Sequence, residues 1–129
     1  MGRAIDTSVL VRFFTQDNDE LSKKATQLLV STSSNSLILD RIIIAELGYV
    51  LRSVYGLKKD QLVQVYRSML ANDIFSVPDR ELVEMTIKLF DEEKPLSFED
   101  CWLLSLKRSK KVTDVLTFDD GLLKRLGTQ

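Results

Sequence analysis

The chain has 129 residues, 44% of them apolar and 29% charged, with a formal net charge of −1. These proportions fit one ordinary globular domain (residues 1–129) that buries roughly two-thirds of its unfolded surface. They exclude a surface that is basic all over but not a local basic rim. Histidine is absent, which removes Ser-His-Asp and Cys-His catalysis and histidine zinc sites. The single cysteine, Cys101, excludes an internal disulfide. It reads as a small core residue within Cys101-Trp102-Leu103-Leu104. No apolar run approaches the roughly 20 residues that span a bilayer. No secretory h-region precedes Asp6, and Gly2 opens no myristoylation motif. The expected location is therefore cytoplasmic.

In chain order, Ala4-Ile5 reads as a short strand running into Asp6-Thr7-Ser8, with a short apolar helix over residues 9–14. A second helix is expected over 19–32 and a short strand over 36–39. Asp40 caps a helix carrying Ile42, Ile43, Glu46, Leu47, Val50, Leu51 and Val54, which Gly56 ends. A helix over 59–70 and a strand over 74–77 follow. Pro78 precedes a helix capped by Asp79 and reaching Phe90, and Pro95 lies in a loop. Ser97 starts a helix through Leu106, closed by basic residues that suit its C-terminal dipole. Residues 112–117 read as the last strand and 119–126 as a short helix. Strands alternating with helices argue for an α/β domain with a mainly parallel sheet. Ligands of such sheets bind beyond the carboxyl ends of the strands. Asp6 follows the first expected strand and Asp119 the last.

Four acids stand out. Asp6 has an ordinary use as a helix cap. Glu46 lies one turn from Ile42 and from Val50, so the spacing predicts a carboxylate facing the apolar stripe, where it needs a cation or a proton. Ser97-Phe98-Glu99-Asp100 resembles a capping box with an acid at its third position. Leu103 and Leu104 on the same side turn Asp100 toward the core. Asp119 fits a turn or a cap. Gathered in one cleft, four carboxylates repel and push one another toward protonation. A hard divalent cation, Mg²⁺ or Mn²⁺, relieves that conflict. Two such ions about 3.5–4 Å apart clamp the attacking and leaving oxygens of phosphodiester cleavage, a chemistry that needs no histidine.

Four segments carry a resemblance: Ile5-Asp6-Thr7-Ser8-Val9-Leu10-Val11-Arg12, Ala45-Glu46-Leu47-Gly48-Tyr49-Val50-Leu51, Leu96-Ser97-Phe98-Glu99-Asp100 and Val115-Leu116-Thr117-Phe118-Asp119. Arg52-Ser53-Val54-Tyr55-Gly56-Leu57 continues the second. In order and spacing they resemble the PIN domain, and within it the VapC-like toxins of toxin–antitoxin pairs. The resemblance implies a three-layer α/β/α PIN-like fold with a mainly parallel central sheet. It also implies Mg²⁺- or Mn²⁺-dependent endoribonuclease activity on RNA. Asp6, Glu46, Asp100 and Asp119 become the catalytic, metal-holding residues, with Thr7 and Thr117 as supporting hydroxyls. A homodimer and a cognate antitoxin protein that covers the cleft are further implications. Ser97 departs from the many relatives that carry an acid there.

RNA affinity is expected from basic side chains reaching phosphates. Arg12, on the helix after Asp6, is the first candidate. Lys107-Arg108-Ser109-Lys110-Lys111 is the densest basic cluster and has an ordinary reading as a solvated helix end. Tyr49, Tyr55, Phe13 and Phe14 read as core or dimer surface. The alternative function is a catalytically inactive PIN-like module that binds RNA or protein. A receiver-like phosphoacceptor lacks its acidic pair here, and a haloacid-dehalogenase-like phosphatase lacks its second aspartate.

Overall fold

A computed structural model describes residues 2–127, which form two compact units divided between Pro78 and Asp79. The first unit runs β1 (Arg3–Ala4), α1 (Thr7–Thr15), α2 (Asp19–Val30), β2 (Leu37–Ile38), α3 (Arg41–Ser53), α4 (Lys59–Ala71) and β3 (Phe75–Ser76). The three strands are parallel, in the order β1-β2-β3. Arg3 faces Leu37 and Ala4 faces Ile38, while Leu37 faces Phe75 and Ile38 faces Ser76. Parallel neighbours need a crossover, and here each crossover is a helix pair. The strands and their flanks supply Ile5, Leu37, Leu39, Ile74, Phe75 and Val77 to the core.

Local chemistry fixes the helix ends. Asn18 Oδ1 accepts from Leu21 N at 2.9 Å, and Asp19 and Glu20 place negative charge in the first turn of α2. Asp40 Oδ1 accepts from Ile42 N at 3.0 Å and starts α3, as its sequence predicts. The α3 helix then buries Ile44, Leu47, Gly48 and Leu51. Gly48 is required by a close approach, because a β-carbon there would collide with the phenol oxygen of the buried Tyr66 on α4. Gly56, at φ +71°, turns the chain after α3 in the left-handed region that glycine enters without strain.

The second unit holds α5 (Arg80–Glu92), α6 (Phe98–Arg108) and α7 (Asp120–Leu126). The α5 and α6 helices pack around Val83, Ile87, Phe90, Phe98, Cys101 and Leu104. Phe90 and Phe98 meet edge-to-face at 6.3 Å, a favoured aromatic geometry. Thr86 Oγ1 and Ser105 Oγ, both fully buried, share a hydrogen bond at 3.1 Å. Arg125 of α7 donates to Glu93 Oε1 at 2.7 Å and to the Gly121 carbonyl at 3.0 Å. Cys101 is fully buried, as expected of a core residue.

Two expectations fail. Residues 112–117 form no strand. Val115 N is taken by the Asp114 carboxylate and Asp119 N by Thr117 Oγ1, so local side chains compete for the backbone. Leu116 and Phe118 stand 94% and 103% exposed. Strand-forming residues without a ladder partner do not make a strand. Asp79 precedes α5 but makes no side-chain cap bond. It adopts φ 54°, ψ 42°, whereas a capping carboxylate needs extended backbone to reach the first turn.

Candidate functional site

Asp6 lies directly beyond β1 and caps α1. Its Oδ2 accepts from Ser8 N at 3.1 Å and from Ser8 Oγ at 2.5 Å. The Ser8 hydroxyl is the main reason that its pKa falls below the usual carboxylate value. Asp6 therefore stays charged at neutral pH. Asp6 and Asp40 each stand two residues beyond the paired Ala4 and Ile38, so parallel register brings both to the carboxyl edge of the sheet. Sequence reading gave Asp40 a cap alone; the strand register adds its alignment with Asp6. Between them in sequence, Thr7 is buried and its Oγ1 has no hydrogen-bond partner.

Glu46 corrects the sequence reading. It is exposed, on the flank of α3 that also shows Ile42 (69% exposed) and Tyr49 (64%). The buried face is instead Ile44, Leu47, Gly48 and Leu51. The α3 helix is apolar nearly all round, so its spacing admits two stripes, and Glu46 belongs to the outer one. The α1 helix, which Asp6 caps, packs against α3, which carries Glu46.

Asp100 and Asp119 belong to the second unit, on the packed pair α6 and α7. Asp100 completes a capping box despite its short side chain. Its Oδ2 accepts from Ser97 N at 3.2 Å, and its own N–H donates to Ser97 Oγ at 3.1 Å. It is half-buried. Asp119 Oδ2 accepts from Leu122 N at 2.8 Å and caps α7. Thr117 Oγ1 accepts from Asp119 N at 3.0 Å, which holds the turn leading into that cap. Asp100 and Asp119 each keep their second carboxylate oxygen without a hydrogen bond among the described residues. No three metal-ligating side chains form a group able to hold an ion among the described residues.

Arg12 does not extend freely. Its Nη1 sits 2.9 Å from Asp17 Oδ1. Asp17 also accepts from Thr15 Oγ1 at 2.9 Å and from the Tyr55 hydroxyl at 2.6 Å. These donors, Tyr55 foremost, lower the Asp17 pKa to about 2. Asp17 in turn raises that of Tyr55. Sequence reading missed this clasp because its members are 38 residues apart. A cavity of about 330 Å³ lies between α1 and α2, lined by Ser8, Val9, Arg12, Leu21, Lys24 and Leu28 among others.

Comparison with protein families matches the PIN domain over residues 4–128. The chain belongs to the PIN domain family. That family is of nuclease type and typically binds divalent metal ions, and its three-layer α/β/α class agrees with the parallel sheet and helices described above. Curated proteins and solved structures returned no match. Among the described residues, no helix is long and apolar enough to cross a membrane.

The donor chemistry fits a hard divalent cation. The acids offer oxygen ligands and no soft ones. Asp6 is held in its ionised form, and beside it Thr7 has an orphaned buried hydroxyl.

Proposed function

We propose that this PIN-domain protein is a metal-dependent endoribonuclease that hydrolyses RNA phosphodiester bonds, acting as the toxin of a VapBC-like toxin–antitoxin pair. One observation carries the reading: the PIN match runs from residue 4 to 128 and includes all four acids, in a chain without histidine. In this reading the two units make one PIN-like domain over residues 1–129, working in the cytoplasm as a homodimer held in check by a cognate antitoxin.

Asp6, Glu46, Asp100 and Asp119 would hold Mg²⁺ or Mn²⁺, which when bound supplies Lewis acidity at the phosphodiester. The chain's own groups prepare the site. The Ser8 hydroxyl and amide keep Asp6 ionised and fix its side chain. The N-termini of α1 and α6 add positive field beside Asp6 and Asp100, which favours carboxylate and phosphate oxygens alike. Thr7 and Thr117 support the acids next to them. Arg12 keeps guanidinium donors beyond the one bound to Asp17 and serves as an RNA phosphate contact.

The test is cleavage of a panel of transfer, ribosomal and messenger RNAs with Mn²⁺, Mg²⁺ or chelator, beside Asp6→Asn. The reading expects metal-dependent cleavage with 5′-phosphate ends by the wild type and none by the variant. Equal cleavage by both defeats it. The capping use of three of the four acids favours a second reading, an inactive PIN-like module that binds RNA or protein. That reading expects binding without response to Mg²⁺ or Mn²⁺.

A further inference from the structure

The basic cluster at the end of α6 has features that helix termination does not explain. The helix closes with a Schellman turn, in which Lys110 N donates to the Lys107 carbonyl at 3.1 Å and Lys111 N to the Leu106 carbonyl at 2.9 Å. The residue at the left-handed position of that turn is usually glycine. Here it is Lys110, at φ +61°. A lysine pays backbone strain there, and its exposed side chain makes no hydrogen bond or ion pair among the described residues in return. Lys107 and Arg108 lie in the last helical turn, where the dipole welcomes cations. Lys110 and Lys111 lie past the helix.

Four cations elsewhere in the molecule have an acidic partner. Arg12 is paired with Asp17, Lys24 with Glu20, Lys94 with Asp91 and Arg125 with Glu93. Arg108, Lys110 and Lys111 are exposed and make no ion pair among the described residues. Lys107 is anchored by its Nζ to the Thr113 carbonyl at 2.9 Å, which fixes the following loop against the helix end. Three unneutralised cations within four residues repel one another, and a chain of net charge −1 has acids enough to pair them.

We infer that Arg108, Lys110 and Lys111 form a docking site for the sugar-phosphate backbone of the RNA substrate. The inference rests on the nuclease reading for the identity of the ligand. Asp100 stands at the first turn of α6, about 12 Å from Arg108 at 1.5 Å per residue. The cluster thus grips phosphates flanking the acid rather than a phosphate touching it. Charge contacts of this kind carry no base preference.

The experiment measures binding of a fluorescein-labelled 20-nucleotide oligouridylate by anisotropy, in chelator so that cleavage does not intervene, from 50 to 200 mM salt. The proteins are the full-length wild type, the triple variant Arg108→Gln/Lys110→Gly/Lys111→Gln, and Lys110→Gly alone. The triple variant is expected to lose about tenfold or more in affinity at 50 mM salt and to flatten the slope of log K against log salt by about 2, from three phosphate contacts on a single strand. Lys110→Gly is expected to bind about two- to fourfold more weakly. Its melting temperature should stay equal or rise, because glycine relieves the left-handed position. A purely structural role for the cluster predicts the opposite pattern, with stability changed and binding unchanged. Equal affinity and slope for wild type and triple variant overturn the inference, and so does a wild type that binds no RNA in chelator. Cluster-dependent binding to anionic lipid vesicles with unaltered RNA binding overturns it too. Metal-dependent cleavage by the wild type, scored separately, leaves the nuclease reading standing in each of those cases.

Discussion

The two ends of α1 use aspartate in opposite ways. Asp17, just past the C-terminal end, meets a guanidinium, a phenol and a hydroxyl. Asp6, at the N-terminal end, meets the amide and hydroxyl of Ser8 and no cation among the described residues. Both pKa values are lowered, but Asp17 alone has a protein cation against it. An acid serving the fold is neutralised by the fold. Asp6 is kept ionised by dipoles and has no counter-charge among the described residues, which suits an ion arriving from solution. The same contrast holds in the second unit, where Glu93 is paired with Arg125 while Asp100 and Asp119, among the described residues, bind only backbone amides.

The sharpest way to break this comparison is to neutralise each aspartate in turn. Asp6→Asn should lower RNA cleavage by at least about 100-fold, the scale of losing an electrostatic group at a reacting centre. It should leave the melting temperature unchanged without metal, because asparagine is an equally good cap. Added Mn²⁺ should raise the wild-type melting temperature and fail to raise that of Asp6→Asn. Asp17→Asn should keep both cleavage and the Mn²⁺ response while melting lower. If both variants lose the metal response equally, the distinction between the two acids falls.

The second test sets neighbours against each other. Leu47→Ala should cost about 2–5 kcal/mol in urea unfolding, since Leu47 is fully buried. Glu46→Gln, one residue away and exposed, should leave stability within about 0.5 kcal/mol and lower cleavage. A large stability loss from Glu46→Gln would restore the inward-facing carboxylate that its spacing suggested.

That pair shows where sequence reading succeeds. Ser97, Asp40 and Asp119 announce their helices because a cap bond reaches only two or three residues and needs no tertiary partner. The parallel α/β pattern is legible for the same reason, in alternating short runs. The buried side of α3 is not, because isoleucines at 42, 43 and 44 follow both candidate stripes and only packing against α1 and α4 chooses. Residues 112–117 have a strand's composition, but a ladder partner must come from far along the chain. The Asp17–Tyr55 clasp was invisible on the same account, so Arg12 looked freer than it is.

A smaller effect is expected from the capping box of α6. Ser97→Ala should cost about 1 kcal/mol, read from chemical unfolding, because Asp100 N loses its acceptor. Smallest is the pH dependence of the clasp, compared between wild type and Tyr55→Phe. Asp17 has a lowered pKa, so its contribution is present above the ordinary value of 3.8 and is lost as pH falls toward about 2. Tyr55 has a raised pKa, so its contribution is present below the ordinary value of 10.0 and is lost at higher pH. The stability difference between the two proteins should therefore be flat from about pH 5 to 9 and shrink at either extreme. A difference that grows in acid would show that Asp17 is not the group Tyr55 serves.

The complete enclosure of Cys101 has a practical corollary. With no second sulfhydryl in the chain, a thiol-reactive dye added to the native protein waits for α6 to open, and its uptake rate clocks the opening that uncovers Cys101. A surface cysteine engineered elsewhere would meanwhile label within moments and alone, giving a single-site fluorophore without first removing the native sulfur.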